Sequence, residues 1–321
     1  MHKIFGNNLL KNVLILVLIV IPCYTYSNLK TADQYESEAT FYFKKGYFTK
    51  VVELCVEGLK IRTQSEVLLN YLGKSYFFLE KYNESLTIFN QLLERGKVKN
   101  DQTVLALSYN NIGEIYRTKM NWDKALEYYA NALNINIKLK SSLDQAINYH
   151  NIAKVHKEKE NMDQALKFFF LSLEIKEKKG DYLGMGLTYN EIGLIYELKK
   201  DLKRSIAYFK ESEKELKKVD SIYFLGIVYS NLGRVYFIQK DNDKALTYFN
   251  KSLAFAEQIM DKRGIAIRCT SLAIFYVKQN NYSLAINYYK RSIKMKQKLG
   301  KVNLKKELLY LKQLKTLSNG S

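Results

Sequence analysis

Asn111, Asn151 and Asn231 stand forty or eighty residues apart, each two residues before a glycine or an alanine. A carboxamide offers two donors and an acceptor, so a regular file of them could hydrogen-bond the backbone of an extended chain whatever its side chains. Glu191 and Ser271 interrupt the file. The same period places Asn70, Asn110, His150, Asn190, Ser230 and Thr270 three before the small residue. One after it come Lys74, Glu114, Lys154, Leu194, Arg234 and Ile274, and four after it Phe77, Arg117, Lys157, Glu197, Phe237 and Val277. The competing use of the asparagines is to bond neighbouring helix backbone and set the spacing of the units.

The residue types of catalysis are sparse. Beyond His2 the histidines are His150 and His156, six apart, so on a helix they point to different faces, whereas a helical metal pair needs i, i+4 spacing. His156 stands where other repeats carry a core tyrosine. No nucleophile-elbow, zincin or phosphate-loop sequence occurs. Glu211, Glu213 and Glu215 alternate with lysines, the pattern of a solvated helix face. The chain is expected to be no enzyme, with no metal and no cofactor.

The positioning elements are repeated. Tyr109-x-x-Ile112-Gly113-x-x-Tyr116 returns as Tyr149-x-x-Ile152-Ala153-x-x-His156, Tyr189-x-x-Ile192-Gly193-x-x-Tyr196, Tyr229-x-x-Leu232-Gly233-x-x-Tyr236 and Cys269-x-x-Leu272-Ala273-x-x-Tyr276. Each copy is followed by a small residue (Ala125, Ala165, Ser205, Ala245, Ala285) and four later by an aromatic (Tyr129, Phe169, Phe209, Phe249, Tyr289). Spacings of three and four put each set on one helix face. The unit is therefore a helix hairpin whose small residues let the two helices approach. Asp123, Asp163 and Asp243 are placed to cap the second helices. A fixed period of this length marks a stack, because one hairpin cannot bury its apolar face alone.

These residues resemble the tetratricopeptide repeat, W-x2-L-G-x2-Y followed by A-x3-F and a later proline, in a form longer than the usual repeat of roughly thirty-four residues. The long form is similar to the repeats of kinesin light chains and of bacterial signalling proteins. Tyrosine replaces the leading tryptophan in four copies, and the closing proline is missing throughout, which leaves the turn between repeats undefined. Leu69 to Tyr76 with Ser85 and Phe89 adds one copy, and Tyr35, Ala39 and Tyr42 with Val51 and Cys55 a degenerate first one. The expected organisation is all-α: repeats at 32–65, 66–105, 106–145, 146–185, 186–225, 226–265 and 266–300, then a capping helix in 301–321. The resemblance implies a right-handed superhelical solenoid whose first helices line a concave groove for a protein or peptide. The groove residues it implies are Asn70, Lys74, Asn110, Asn111, Asn151, Lys154, Asn190, Asn231 and Arg234. The carboxylate clamp of the chaperone-binding subset is absent, since its two positions read Glu36 and Thr40, Asn70 and Lys74, Asn110 and Glu114.

Composition bounds the rest. The only proline of 321 residues is Pro22, so no proline interrupts the helical body. Residues 1–27 read as an export signal: His2, Lys3 and Lys11, an apolar run from Val13 to Ile21, and Thr25-x-Ser27 as a cleavage site. The expected location is periplasmic or extracellular, with a mature chain beginning near Asn28; Cys23 lacks the small residue before it that a lipidation site resembles. Cys55 and Cys269 fall in the first and seventh repeats and are expected as unpaired core fillers.

The net charge of +19 favours anionic partners. From Asn281 onward ten lysines and arginines face Glu307 alone, and Lys290, Arg291, Lys294 and Lys298 define a basic surface there. That surface is either a solubilising end or a peripheral contact with an anionic membrane or glycan. Nucleic acid is excluded as a partner by the lack of zinc spacing, glycine-rich loops or RNP-like motifs. The expected function is an exported adaptor. The alternatives are a sensory module working with a separate histidine kinase or transcription regulator, and a structural protein on an anionic envelope surface. The oligomeric state is left open.

Overall fold

The computed structural model describes residues 30–44, 47–300 and 304–319; the expected export signal, with Cys23 and Ser27, lies outside the described residues. The described residues form fifteen helices and no strand. They pair in chain order as α1 (Ala32–Lys44) with α2 (Phe48–Ile61), α3 (Glu66–Phe78) with α4 (Tyr82–Lys99), and α5 (Gln102–Thr118) with α6 (Trp122–Lys138). Then come α7 (Ser142–Glu158) with α8 (Met162–Lys179), α9 (Tyr182–Leu198) with α10 (Leu202–Lys217), α11 (Ile222–Ile238) with α12 (Asn242–Gln258), and α13 (Lys262–Lys278) with α14 (Tyr282–Lys298). The last helix, α15 (Lys305–Asn319), packs on α14. The helices fall into two compact units, one ending at Ile135 and one beginning at Asn136.

The turns explain the period. A residue with positive φ ends a helix every twenty positions: Glu80, Asn100, Met120, Lys140, Glu160, Gly180, Lys200, Asp220, Lys240, Met260, Asn280 and Gly300. After it the next N–H reaches back to close the helix, Asn121 to the Tyr116 carbonyl at 2.9 Å and Asp181 to the Lys176 carbonyl at 3.0 Å. These are the bonds of a Schellman end. From α3 onward the turn between hairpins is the same as the turn within them, so no proline is needed at those seams.

Asp123, Asp163 and Asp243 do not cap the second helices; they lie in the first turns of α6, α8 and α12. The helices start sooner because the turn uses a single left-handed residue. The cap positions are Asn121, which accepts the Lys124 N–H at 3.3 Å, Asn161, and Asp241, which accepts the Lys244 N–H at 3.2 Å. The three carboxylates remain near the positive helix ends.

Inside each hairpin the small residues work as expected. A methyl group built on Gly113 would lie 2.9 Å from the Tyr129 ring, and one on Gly193 2.7 Å from the Phe209 ring. Ser205 donates to the Gly193 carbonyl at 2.9 Å, and Ser85 to the Gly73 carbonyl at 2.8 Å, so the small position also supplies a cross-link. A second serine file ties second helices back to first ones: Ser172 to Ala146, Ser212 to Gly186, Ser252 to Gly226 and Ser292 to Ala266, at 2.5–2.8 Å.

Candidate partner-binding surface

On α7, α9, α11 and α13 one side packs against the second helices and the opposite side remains outward. Outward positions recur at spacings of three or four, so Leu183, Leu187, Leu194 and Leu198 form one stripe along α9. Its neighbours are Leu143, Ile147 and Lys154 on α7; Tyr223, Ile227, Arg234 and Ile238 on α11; and Ile267 and Ile274 on α13. Leu198 is 61% exposed, and Ile238 and Ile267 are each 51% exposed. Neighbouring stripes are tied by charge: Lys157 pairs with Glu191, and Arg234 forks onto Glu197 with both contacts at 2.6 Å. Exposed apolar side chains (Leu143, Ile147, Leu183, Leu198, Tyr223, Ile238, Ile267 and Ile274) and half-buried ones (Leu187, Leu194 and Ile227) thus share this side with the ion pairs.

The asparagines take a different place. Asn231 Nδ2 donates to Asn190 Oδ1 at 2.8 Å, and both side chains are buried. In the first unit Asn111 donates to Asn70 at 3.3 Å. These amides join adjacent first helices, so they hold the surface together. Asn110 on α5 and Asn151 and Lys154 on α7 are half-buried, and Arg234 is exposed. Lys74 on α3 is half-buried, and desolvation pushes its ammonium pKa down.

The residues considered for catalysis are packed. His150 Nδ1 lies 3.2 Å from the Thr188 hydroxyl, and its ring meets Phe169 edge-on. His156 stacks on Phe168 at 5.5 Å, and burial beside Lys159 pushes its pKa down. Cys55 and Cys269 are buried and unpaired, with burial raising their thiols to about 12 and about 11. Among the described residues no group of three or more His, Cys, Asp or Glu could hold a metal ion.

The acidic run departs from its expected solvated face, since Glu213 and Glu215 are buried. Burial pushes the Glu213 carboxyl up, but hydrogen bonds from Lys210 and Lys217 outweigh it and the net shift is downward. Tyr229 adds a third bond at 3.2 Å.

Sequence reasoning passed over one file altogether. Tyr128, Phe168, Tyr208, Tyr248 and Tyr288 precede the core aromatic of the last five repeats, and they stack on Tyr116, His156, Tyr196, Tyr236 and Tyr276 at 5.3–5.6 Å. The available signal was the aromatic doublet itself.

The basic residues on α14 separate. Lys290, Lys294 and Lys298 are exposed at i, i+4 and i+8, while Arg291 pairs with Glu257 on α12.

A family model for the tetratricopeptide repeat matches residues 64–138, 104–178, 144–214 and 224–298, well over half of the chain. The chain belongs to the tetratricopeptide repeat family. Its array is similar in fold to the apo form of RapI, with a TM-score of 0.63 at 14% identity over 84% of this chain and 99% of that one. The Rap protein complexed with Competence and Sporulation Factor gives 0.63 at 13% identity over 93% and 91%. The signal transduction ATPase with a tetratricopeptide repeat sensor from Pyrococcus horikoshii gives 0.61 at 21% identity, over 77% of this chain and 37% of that one. No curated protein sequence matches. Tetratricopeptide arrays are interaction scaffolds, and this one is compatible with protein binding.

Proposed function

We propose that the array binds a protein or peptide partner on the outward face of α7, α9, α11 and α13. The observation that carries this reading is the exposed apolar side chains of neighbouring first helices, fixed by the Lys157–Glu191 and Arg234–Glu197 pairs. Such a surface on a folded protein marks an interaction site. A chain segment presenting apolar side chains, with a charge of either sign to meet those pairs, fits it. The Rap neighbour held in complex with Competence and Sporulation Factor supports the reading at the level of fold.

The test is capture from envelope extract by the chain and by a Leu198→Asp, Ile238→Asp, Ile274→Asp variant. All three positions are exposed, so the variant keeps its core. A protein held by the first and lost by the second supports this surface, and equal capture by both removes it.

Export is part of the same proposal and rests on residues 1–27. Mass spectrometry of the native protein should find a chain beginning near Asn28; an intact Met1 contradicts it. The exposed row Lys290, Lys294 and Lys298 favours a second contact, with an anionic lipid or glycan surface. Reversing those three charges should lower partition onto anionic vesicles, and unchanged partition removes that contact.

A further inference from the structure

The first unit contains a cavity of about 300 Å³, lined by Phe43, Lys74, Phe77, Phe78, Phe89, Asn111 and Glu114. Its walls are aromatic. Phe78 meets Phe43 at 5.8 Å and Phe77 at 5.7 Å, and Phe48 stacks on it at 4.5 Å. Phe89 closes the base, fully buried against Gly73.

Two charges line this space, and they are not equivalent. Glu114 is already satisfied: Arg117 holds both of its oxygens at 2.6 and 3.0 Å, and the Tyr129 hydroxyl donates to it at 2.6 Å. Lys74 has no hydrogen-bond or ion-pair partner among the described residues. A lone ammonium half out of water raises the free energy of the empty cavity, and an anion would relieve it. A cation could exploit the phenylalanine faces, but it would meet Lys74 and find Glu114 already neutralised. A dianion would find a single positive charge beside a carboxylate. The volume lies at the small end of ligand sites, which run from about 300 to about 1,000 Å³.

We propose that this cavity binds a monocarboxylate with an aromatic or short aliphatic body, its carboxylate paired with Lys74 and its hydrocarbon among the phenylalanines. The site is separate from the α7–α13 face, and neither reading depends on the other. The acid is either a free small molecule or the last residue of a peptide, since both present the same groups.

The experiment is calorimetric titration of the full chain with 3-phenylpropionate and hexanoate, each beside its primary amide. Saturable binding of the acids is expected, with the amides weaker by roughly tenfold or more. Lys74→Met should bring the acids down to the affinity of the amides and leave the amides unchanged. Phe78→Ala, at a half-exposed position, should weaken acid and amide alike by roughly threefold to tenfold. The acid–amide comparison in the unaltered chain needs no variant, so a folding defect cannot obscure it. A tetrapeptide ending in phenylalanine, as free acid, separates the sources: tighter binding than phenylpropionate assigns a peptide end, weaker binding a free acid. No saturable binding of either acid at millimolar concentration, or equal binding of acid and amide, overturns the proposal.

Discussion

At Gly193 a methyl group would already lie 2.7 Å from the Phe209 ring. Ala153 and Ala273 occupy the same position in their own repeats and share core clusters with Phe169 and Tyr289, so an aromatic of this type can give way to a methyl. Gly193→Ala should therefore shift stability by no more than about 1 kcal/mol, since the gain in helix propensity offsets the contact. Gly193→Leu forces a branched chain into the same gap and should cost roughly 3 kcal/mol. Urea midpoints of the two variants check both, and equal midpoints would refute the close-approach account. This pairing was legible in the sequence because both partners recur at helical spacing. The stacked row at Tyr128, Phe168, Tyr208, Tyr248 and Tyr288 was not, because the repeat motif marks only the second aromatic of each doublet. Nor was Glu213, which is exposed by its local pattern and buried by its neighbours.

Between hairpins the helices are fitted by exchange of size and polarity. Position by position, Asn136 meets Asn148 at 2.7 Å and Lys176 meets Thr188 at 2.9 Å. At the same two positions the next seams carry Leu216 with Val228 and Ala256 with Arg268, whose guanidinium donates to Ser252 at 3.2 Å. The two cationic seams each have a glycine, Gly184 and Gly264, at a place where a methyl would strike the cap aspartate, Asp181 or Asp261, and the cation itself.

Burial pushes the Lys176 ammonium down from 10.5 to about 8, with Asp181 pulling the other way. Below that value both states carry the proton and the folded one bears the desolvation cost. As pH rises from about 8 toward 10.5 the unfolded chain holds more protons, so stability rises through that window. Replacing the pair with Lys176→Leu and Thr188→Val, the residue types of the next seam, should add about 1–3 kcal/mol at pH 7. It should also flatten the rise measured by urea unfolding between pH 7 and 10; an unchanged slope would sink this assignment. The Arg234–Glu197 fork, by contrast, is solvent-facing on its arginine side, and Arg234→Ala should change the urea midpoint by no more than about 0.5 kcal/mol of stability. The seam pairs were hidden from sequence because their complementarity appears only when second and first helices are aligned. The caps of the second helices were misplaced by two residues because a left-handed methionine, glutamate or lysine (Met120, Glu160, Lys240) leaves no glycine signal.

For the whole chain, stability should add over hairpins and seams. Leu304 and Leu314 cover Ala273, Tyr289 and Ile293 at the last hairpin. A chain ending at Gly300 should therefore lose amide protection first in α13 and α14, by a factor of about ten or more, with α9 and α10 little changed. Hydrogen exchange of the two chains decides this, and a uniform loss would mean that the array opens as one piece. The family, the hairpin and the near-forty period were legible because each is stated many times. The outward stripe on α9 was partly legible: the repeat period marks Leu194, whereas Leu183, Leu187 and Leu198 fall outside the positions it marks. The fate of the asparagines needed coordinates, because an amide facing a partner and an amide facing its neighbour look alike in a sequence. From Glu80 to Gly300 a helix end of one design every twenty residues also means that this stretch carries no punctuation. A cassette cut at Met120 and one cut at Lys140 are equally well-formed pieces, the first beginning on a second helix and the second on a first. Gene duplication or grafting could therefore lengthen the array in either frame, in steps of two helices, without inventing a new junction.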